Sequence, residues 1–163
     1  MKEKYTIPPT TRIGHVHLKV ADLDRALGFY RDLLGFELMT TFGQQAAFLS
    51  AGGYHHYIGL NTWHSAGSTP APMTGVGLYH TAILYPNRKE LAAIYHRISM
   101  ANYPLTGASD HGVSEALYLN DPDGNGVELY WDRPKELWKY DSKGSIKMEI
   151  KELQIDSLLQ ELD

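Results

Sequence analysis

The chain has 163 residues, 43% of them hydrophobic and 21% charged, the proportions of a globular domain large enough to bury a core without covalent staples. It contains no cysteine, which excludes disulfides, thiolate zinc sites and thiol catalysis. Its formal charge of −4 argues against a nucleic-acid-binding surface, and no apolar run approaches the roughly 18 residues of a membrane helix. Behind the opening Met1-Lys-Glu-Lys-Tyr-Thr6 there is no apolar signal segment, so a soluble, cytoplasmic protein is expected. Eight histidines remain as the distinctive feature; without cysteine, any bound metal must take imidazole and carboxylate ligands.

Ile13–Val20 alternates, with Val16, Leu18 and Val20 on one face and His15, His17 and Lys19 on the other, which predicts a strand with a histidine-bearing face. Asp22 can cap a helix in which Leu23, Ala26, Leu27, Tyr30, Leu33 and Leu34 recur at helical spacing before Gly35 closes it. Strands are predicted at Phe36–Phe42, Gln45–Ser50 and His55–Thr62, with a turn at Gly52-Gly53. Ser65–Gly77, rich in Pro, Gly and Ser, is a linker or surface loop. The pattern then restarts. Leu78–Tyr85 is predicted as a strand with His80 in its middle, and Asn87 with Glu90 makes a capping box. A helical stripe of Leu91, Ile94, Tyr95 and Ile98 ends near Asn102-Tyr-Pro104. Leu105–Ser109, Glu115–Asn120 and Gly126–Asp132 follow as strands, the last two joined by the turn Asp121-Pro-Asp-Gly-Asn125.

The order βαβββ therefore occurs twice. His15 and His80 are 65 residues apart, as are Asp22 and Asn87, and Tyr30 and Tyr95, a fixed offset that marks an internal repeat. The expected fold is α+β: two tandem βαβββ modules forming a cupped mixed sheet around a metal site. The expected organisation is one domain over residues 1–163, with a first module at 12–64, a linker at 65–77, a second module at 78–132 and a charged tail at 133–163. The tail ends in a short amphipathic helix carrying Ile155, Leu158, Leu159 and Leu162, suited to packing or to subunit contact.

Two such units would close a funnel. His15 and His80 enter it from the first strand of each unit, and Glu128 from the last strand of the second. A carboxylate in the apolar run Gly126–Asp132 is costly to bury unless it is paired or bound to metal. Two imidazoles and one carboxylate make a facial triad that suits Fe(II) and leaves positions open for other ligands. His17 shares a face with His15, but the 65-residue register favours His15 as the ligand. His64 and His96 receive no role.

The segment His15-Val-His-Leu-Lys-Val-Ala-Asp-Leu-Asp-Arg-Ala-Leu-Gly-Phe-Tyr-Arg-Asp-Leu-Leu-Gly-Phe36 resembles the first βα unit of the vicinal oxygen chelate superfamily, and Tyr118-Leu-Asn-Asp-Pro-Asp-Gly-Asn-Gly-Val-Glu-Leu-Tyr130 resembles its last hairpin. That superfamily includes glyoxalase I, bleomycin and fosfomycin resistance proteins and extradiol ring-cleaving dioxygenases. The resemblance implies metal ligands at His15, His80 and Glu128. A fourth ligand of the glyoxalase pattern would fall at Gly59, aligned through Ile58-Gly-Leu60 with Val127-Glu-Leu129, and glycine has no donor side chain.

The two-His, one-Glu set resembles instead the extradiol, catechol 2,3-dioxygenase-type branch. That branch has a His just before the fourth strand, matched by His55-His56 with His56 fitting better. It has a Tyr ten residues before the ligand Glu, matched by Tyr118, and a His-Gly upstream of that Tyr, matched by His111-Gly112. The resemblance implies Fe(II), or Mn(II), as cofactor, with a small aromatic diol and O2 as substrates. It implies His56 as acid/base and His111 and Tyr118 as donors to oxygens on which charge develops. Many such enzymes carry four modules, and this chain has two. The alternatives are a glyoxalase-type metal-dependent lyase or isomerase, with His55 or Tyr57 substituting at the fourth position, and a small-molecule binding protein of the resistance kind. Exposed sheet edges make a homodimer plausible.

Overall fold

The computed structural model describes residues 4–163; Met1–Glu3, part of the opening stretch weighed for a signal segment, lie outside the described residues. In the first half, strand β1 (Val16–Lys19) leads to helix α1 (Leu23–Leu27), then to β2 (Glu37–Phe42), β3 (Ala46–Ser50) and β4 (Ile58–Asn61). In the second, β5 (Thr81–Leu84) leads to α2 (Arg88–Met100), β6 (Gly107–Asp110), β7 (Ser114–Asn120) and β8 (Gly126–Asp132), and the tail adds β9 (Lys151–Glu152) and α3 (Ile155–Leu159). The fold is mixed α+β, with a four-stranded sheet ordered β1-β4-β3-β2 and a five-stranded sheet ordered β5-β8-β7-β6-β9. Among the described residues no helix is long and apolar enough to cross a membrane.

Several boundaries differ from the sequence expectation. The predicted helix over Leu23–Leu34 splits: α1 is five residues long and continues as a wide π-helical stretch, Gly28–Leu33, before Gly35 ends it at φ +86°. The strand periodicity of Leu78–Tyr85 and Ile13–Val20 extends beyond the paired segments. His80 precedes β5 rather than sitting in its middle, and His15 precedes β1. His55 and His56 likewise lie ahead of β4. These residues share the strand alternation but lack ladder partners at the sheet ends.

The caps form as the sequence implies. The Asp22 side chain accepts the Arg25 N–H at 2.9 Å and the Asn87 side chain accepts the Glu90 N–H at 2.9 Å, each satisfying a helix-end donor. The two halves also share one register. The parallel pair β1/β4 sets His17 opposite Gly59, and the parallel pair β5/β8 sets Ala82 opposite Glu128. Gly59 and Glu128 therefore occupy equivalent places.

One core runs through both halves. Leu18, Val20, Phe29, Tyr30, Leu49 and Leu60 from the first cluster with Leu91, Ile98, Leu117, Leu119 and Leu129 from the second and with Leu153 and Leu158 from the tail. The halves meet on their helical side. Phe29 packs on Tyr103 with ring centroids 5.1 Å apart, and the Arg97 guanidinium donates to the Leu33 and Asp32 carbonyls that end the π-helical stretch. The turn Asp121–Asn125 is built around the buried Asp121 carboxylate. It accepts the backbone N–H groups of Asp123 and Asn125, the Asn125 amide, and the buried Tyr30 hydroxyl at 2.9 Å. Burial, then the neighbouring Asp121 charge, raises the Tyr30 pKa far above its ordinary value, so the phenol stays a donor. Arg25 pairs with Asp123 beside it.

The tail is fixed by a buried ion network. Glu115, 2% exposed, is paired by Arg88 at 2.8 Å and Arg133 at 2.6 Å, and Arg88 also reaches the Ser157 carbonyl and Glu161. Packing is thus the role α3 serves in this chain.

Tyr30→Phe should lower the unfolding free energy by about 2 kcal/mol, the range for a hydrogen bond to a charged acceptor, and Asp121→Ala should cost more because four bonds are lost. Urea titration should show lower midpoints at unchanged slope; an unchanged midpoint for Tyr30→Phe would mean that the joint is not stabilising.

Candidate metal and catalytic site

Glu128 sits in β8, where Val127 and Leu129 are buried under the helices and Glu128 and Tyr130 point to the open face of the second sheet. The ladder sets Tyr118 of β7 directly opposite Glu128, and the Tyr118 hydroxyl lies 3.0 Å from Glu128 Oε1. His80, at the lead-in to β5, places Nε2 2.9 Å from Glu128 Oε2. Gly126 makes that approach feasible: a Cβ there would run into the Tyr79 carbonyl oxygen and come 3.2 Å from His80 Cα. His111 Nε2 lies 2.7 Å from the Tyr118 hydroxyl. Four predicted site residues, His80, Glu128, Tyr118 and His111, thus form one connected row.

The protons in this row are constrained. His111 Nδ1 faces the Glu149 carbonyl oxygen at 3.0 Å, which only accepts, so Nδ1 carries a hydrogen. With a neutral imidazole, Nε2 is then an acceptor and draws the single phenolic hydrogen of Tyr118 away from Glu128. With an imidazolium, Nε2–H donates to the Tyr118 oxygen and the phenol donates to Glu128. The row is therefore connected so that shifting one phenolic hydrogen can carry a proton between His111 and the carboxylate. Burial, then the bond to Glu128, raises the Tyr118 pKa well above its ordinary value, so the hydroxyl remains protonated while it does so.

Glu149 belongs to the tail, for which the sequence reading offered only packing or subunit contact. The tail also donates its Glu149 N–H to the His111 carbonyl at 2.9 Å. No motif marks these contacts, because the tail engages His111 only through the backbone N–H and carbonyl of Glu149, 38 residues away. Gly126 was likewise missed, although an isolated strand glycine is a signal of close backbone approach.

The first sheet carries the other predicted residues. His15 and His56 lie with ring centroids 4.5 Å apart, and His55 Nδ1 is 2.8 Å from His56 Nδ1. Phe48 packs on His56 at 5.1 Å. The His56 pKa is lowered, first by burial and then by the neighbouring His15, His55 and His17 rings, which favours a neutral imidazole able to take up a proton. His17 stands on the same face between Phe48 and Trp63, at 5.7 and 5.6 Å. Its ring covers Gly59: a Cβ at Gly59 would lie 2.9 Å from His17 Cγ. The position equivalent to Glu128 thus has no side chain and is roofed by an imidazole.

His80 and Glu128 suit a divalent ion. Donor atoms 2.9 Å apart have the spacing of adjacent octahedral corners, about 3.0 Å for ligands about 2.1 Å from the ion. His15 does not join them in one chain. Among the described residues no three of His, Asp or Glu converge where a metal ion could be held.

Residues 12–129 match the Glyoxalase/Bleomycin resistance protein/Dioxygenase superfamily. The chain belongs to this superfamily. It is 40% identical over 156 residues to a catechol-2,3-dioxygenase of Bacillus subtilis, covering 96% of this chain and 54% of that protein, so it spans about half the length of that relative. It is 31% identical to biphenyl-2,3-diol 1,2-dioxygenase 3 of Rhodococcus globerulus, covering 80% of this chain and 70% of that protein. A lactoylglutathione lyase structure from Agrobacterium tumefaciens superposes with a TM-score of 0.60 at 24% identity, covering 82% of this chain and 100% of that one; at that identity the likeness concerns the fold alone.

Gly59→Ala should push the His17 ring off its seat and cost about 1 kcal/mol, the low end for overpacking at a site that can partly yield. In a His17→Ala background the same change should be near neutral. A double-mutant cycle by thermal or urea unfolding measures the coupling, and additive effects would refute the contact.

Proposed function

We propose that this chain is an extradiol ring-cleaving dioxygenase that acts on a catechol-type diol with O2, using a divalent metal held by His15, His80 and Glu128. The observation that carries the reading is the His80–Glu128–Tyr118–His111 row: two of the three proposed ligands converge, and a proton-carrying pair is attached to the ligand carboxylate. The similarity to a catechol-2,3-dioxygenase over 96% of this chain supports the same choice.

The donor set of two imidazoles and one carboxylate suits Fe(II), and Mn(II) accepts it as well. The chemistry such an ion supplies is acidification of a bound diol hydroxyl and positioning of both reactants. The chain's own groups account for the proton steps. His56, kept neutral, takes a hydroxyl proton from the diol and returns it to the leaving oxygen after the ring carbon bond breaks. Tyr118 and His111 donate to the oxygen on which negative charge develops, where a fixed donor in a partly dry site is worth more than in water. Both atoms of O2 end in a ring-opened hydroxymuconic semialdehyde-type product, so no outside reductant is required. A glyoxalase-type lyase is disfavoured by Gly59, which the His17 ring covers.

Protein loaded anaerobically with Fe(II) should consume O2 and form a yellow product when catechol and air are added. Glu128→Ala should lose bound iron. Tyr118→Phe should keep it while lowering turnover by about 10²–10³-fold, the usual loss for one electrostatic donor, and His56→Ala by about 10²–10⁴-fold as for a general base. Iron-loaded protein that takes up no O2 with any of several catechols would overturn the assignment.

A further inference from the structure

We propose that Asp110 is a positioning residue for His111: its carboxylate, held by Arg133, fixes the turn that presents the His111 ring to Tyr118. This rests on the role given above to His111. It adds a residue whose own bonds go to Gly112 and Arg133 rather than to the ligands or the phenol.

Three observations point the same way. First, His111 stands in the short turn between β6 and β7, and the turn is pinned on every side but one. The His111 N–H donates to the Ser114 carbonyl at 2.8 Å, the His111 carbonyl accepts the Glu149 N–H at 2.9 Å, and the Val113 carbonyl accepts the Arg133 N–H at 2.8 Å. The remaining link is Gly112, at φ +77°, the residue type with the most backbone freedom to lose. Asp110 holds it. One carboxylate oxygen accepts the Gly112 N–H at 2.8 Å and the other accepts Arg133 Nη2 at 2.9 Å.

Second, the clamp on Asp110 is anchored in the interior. The same Arg133 Nη2 lies 2.6 Å from Glu115, which the ladder sets opposite Asp110. Arg88 takes the other Glu115 oxygen and reaches Ser157 and Glu161 of the tail. A buried ion network of this kind contributes little net stability, because apolar residues of the same volume would serve as well. Its distinctive effect here is geometric. The two supports of the His111 ring, its own turn and the tail that brings the Glu149 carbonyl to Nδ1, are tied together by one chain of charges.

Third, the internal repeat supplies a comparison. Phe48 stands opposite Gly59 as Tyr118 stands opposite Glu128. Counting along the paired registers, Gly43 and Gln45 fall where Asp110 and Glu115 do. The stretch Thr40–Ser50 carries no charged side chain. The half that lacks the phenol and the carboxylate also lacks the clamp, although both halves build the same hairpin. A hairpin of this kind therefore forms without the charges, and they accompany the histidine that must be aimed.

The test reads the His111 tautomer directly. Metal-free protein labelled with 15N-histidine is examined by NMR at about pH 8.5, where imidazoles are neutral, and the His111 signals are identified by their loss in His111→Asn. The wild type should show hydrogen on Nδ1 alone, the tautomer that the Glu149 carbonyl selects. Asp110→Ala should show a mixture of both neutral tautomers. Asp22→Ala, which removes a helix cap of the first half, should destabilise the fold and leave the His111 signals unchanged. In iron-loaded protein Asp110→Ala should lower kcat by about 10–100-fold, the range for groups that orient an active-site side chain, with iron content and catechol KM unchanged. In a His111→Asn background the same change should have no further effect on kcat. The proposal is overturned by a wild-type His111 protonated on Nε2, by an Asp110→Ala protein with the wild-type tautomer, by an Asp22→Ala protein that shifts as Asp110→Ala does, or by additive losses with His111→Asn. Where Asp110→Ala does not fold, Asp110→Asn removes the charge facing Arg133 and repeats the test with the same outcomes. A tautomer that responds to Asp110 in a protein without O2 uptake would uphold the positioning role and reject the dioxygenase reading. Full turnover with an unresponsive tautomer would do the reverse.

Discussion

The arrangement of this molecule depends on a buried carboxylate at a turn. Asp121 accepts four hydrogen bonds, three from its own turn and one from Tyr30 in the other half of the chain. A carboxylate buried in that way is tolerated only because each bond is made, and the geometry that makes them fixes how the halves meet. They meet with helices and turn against each other. The consequence is that two open sheet faces, each lined with imidazoles, are left outward.

Those faces are alike in backbone and different in chemistry. The same parallel register that sets Ala82 opposite Glu128 sets His17 opposite Gly59. In the second sheet a small residue on the edge strand leaves room for a carboxylate in the centre. In the first, the large residue is on the edge and the centre is bare. The exchange gives one face a carboxylate with His80, Tyr118 and His111 beside it, and the other an aromatic and imidazole wall of His15, His17, Phe48, His56 and Trp63.

The proton row of the second sheet is held from outside the repeat. The tail returns along β6 as β9, is clamped by Arg88 and Arg133 through the buried Glu115, and lays the Glu149 carbonyl on His111 Nδ1. Orientation of an imidazole by a backbone carbonyl fixes its tautomer, so a segment with no chemistry of its own decides which nitrogen of His111 faces Tyr118.

The sequence by itself determined the α+β class, the two βαβββ orders and nearly every strand. It also fixed the shared faces of Glu128 with Tyr130 and of His15 with His17, because alternation and capping are local and periodic. The ten-residue spacing of Tyr118 and Glu128 entered only as part of a family pattern; that the two residues stand directly opposite each other across the five-residue turn is a fact of the folded hairpin. It could not determine that α1 widens into a π-helical stretch, that His17 roofs Gly59, that Gly126 admits His80, or that the tail orients His111. Each of those depends on atoms brought together from distant parts of the chain. Above all, the 65-residue repeat placed His15 and His80 as equivalent residues but carried no information on whether they share a cavity. Only the tertiary structure decided that, because the burial of Asp121 against Tyr30 packs the two modules by their helices and leaves their histidine faces apart.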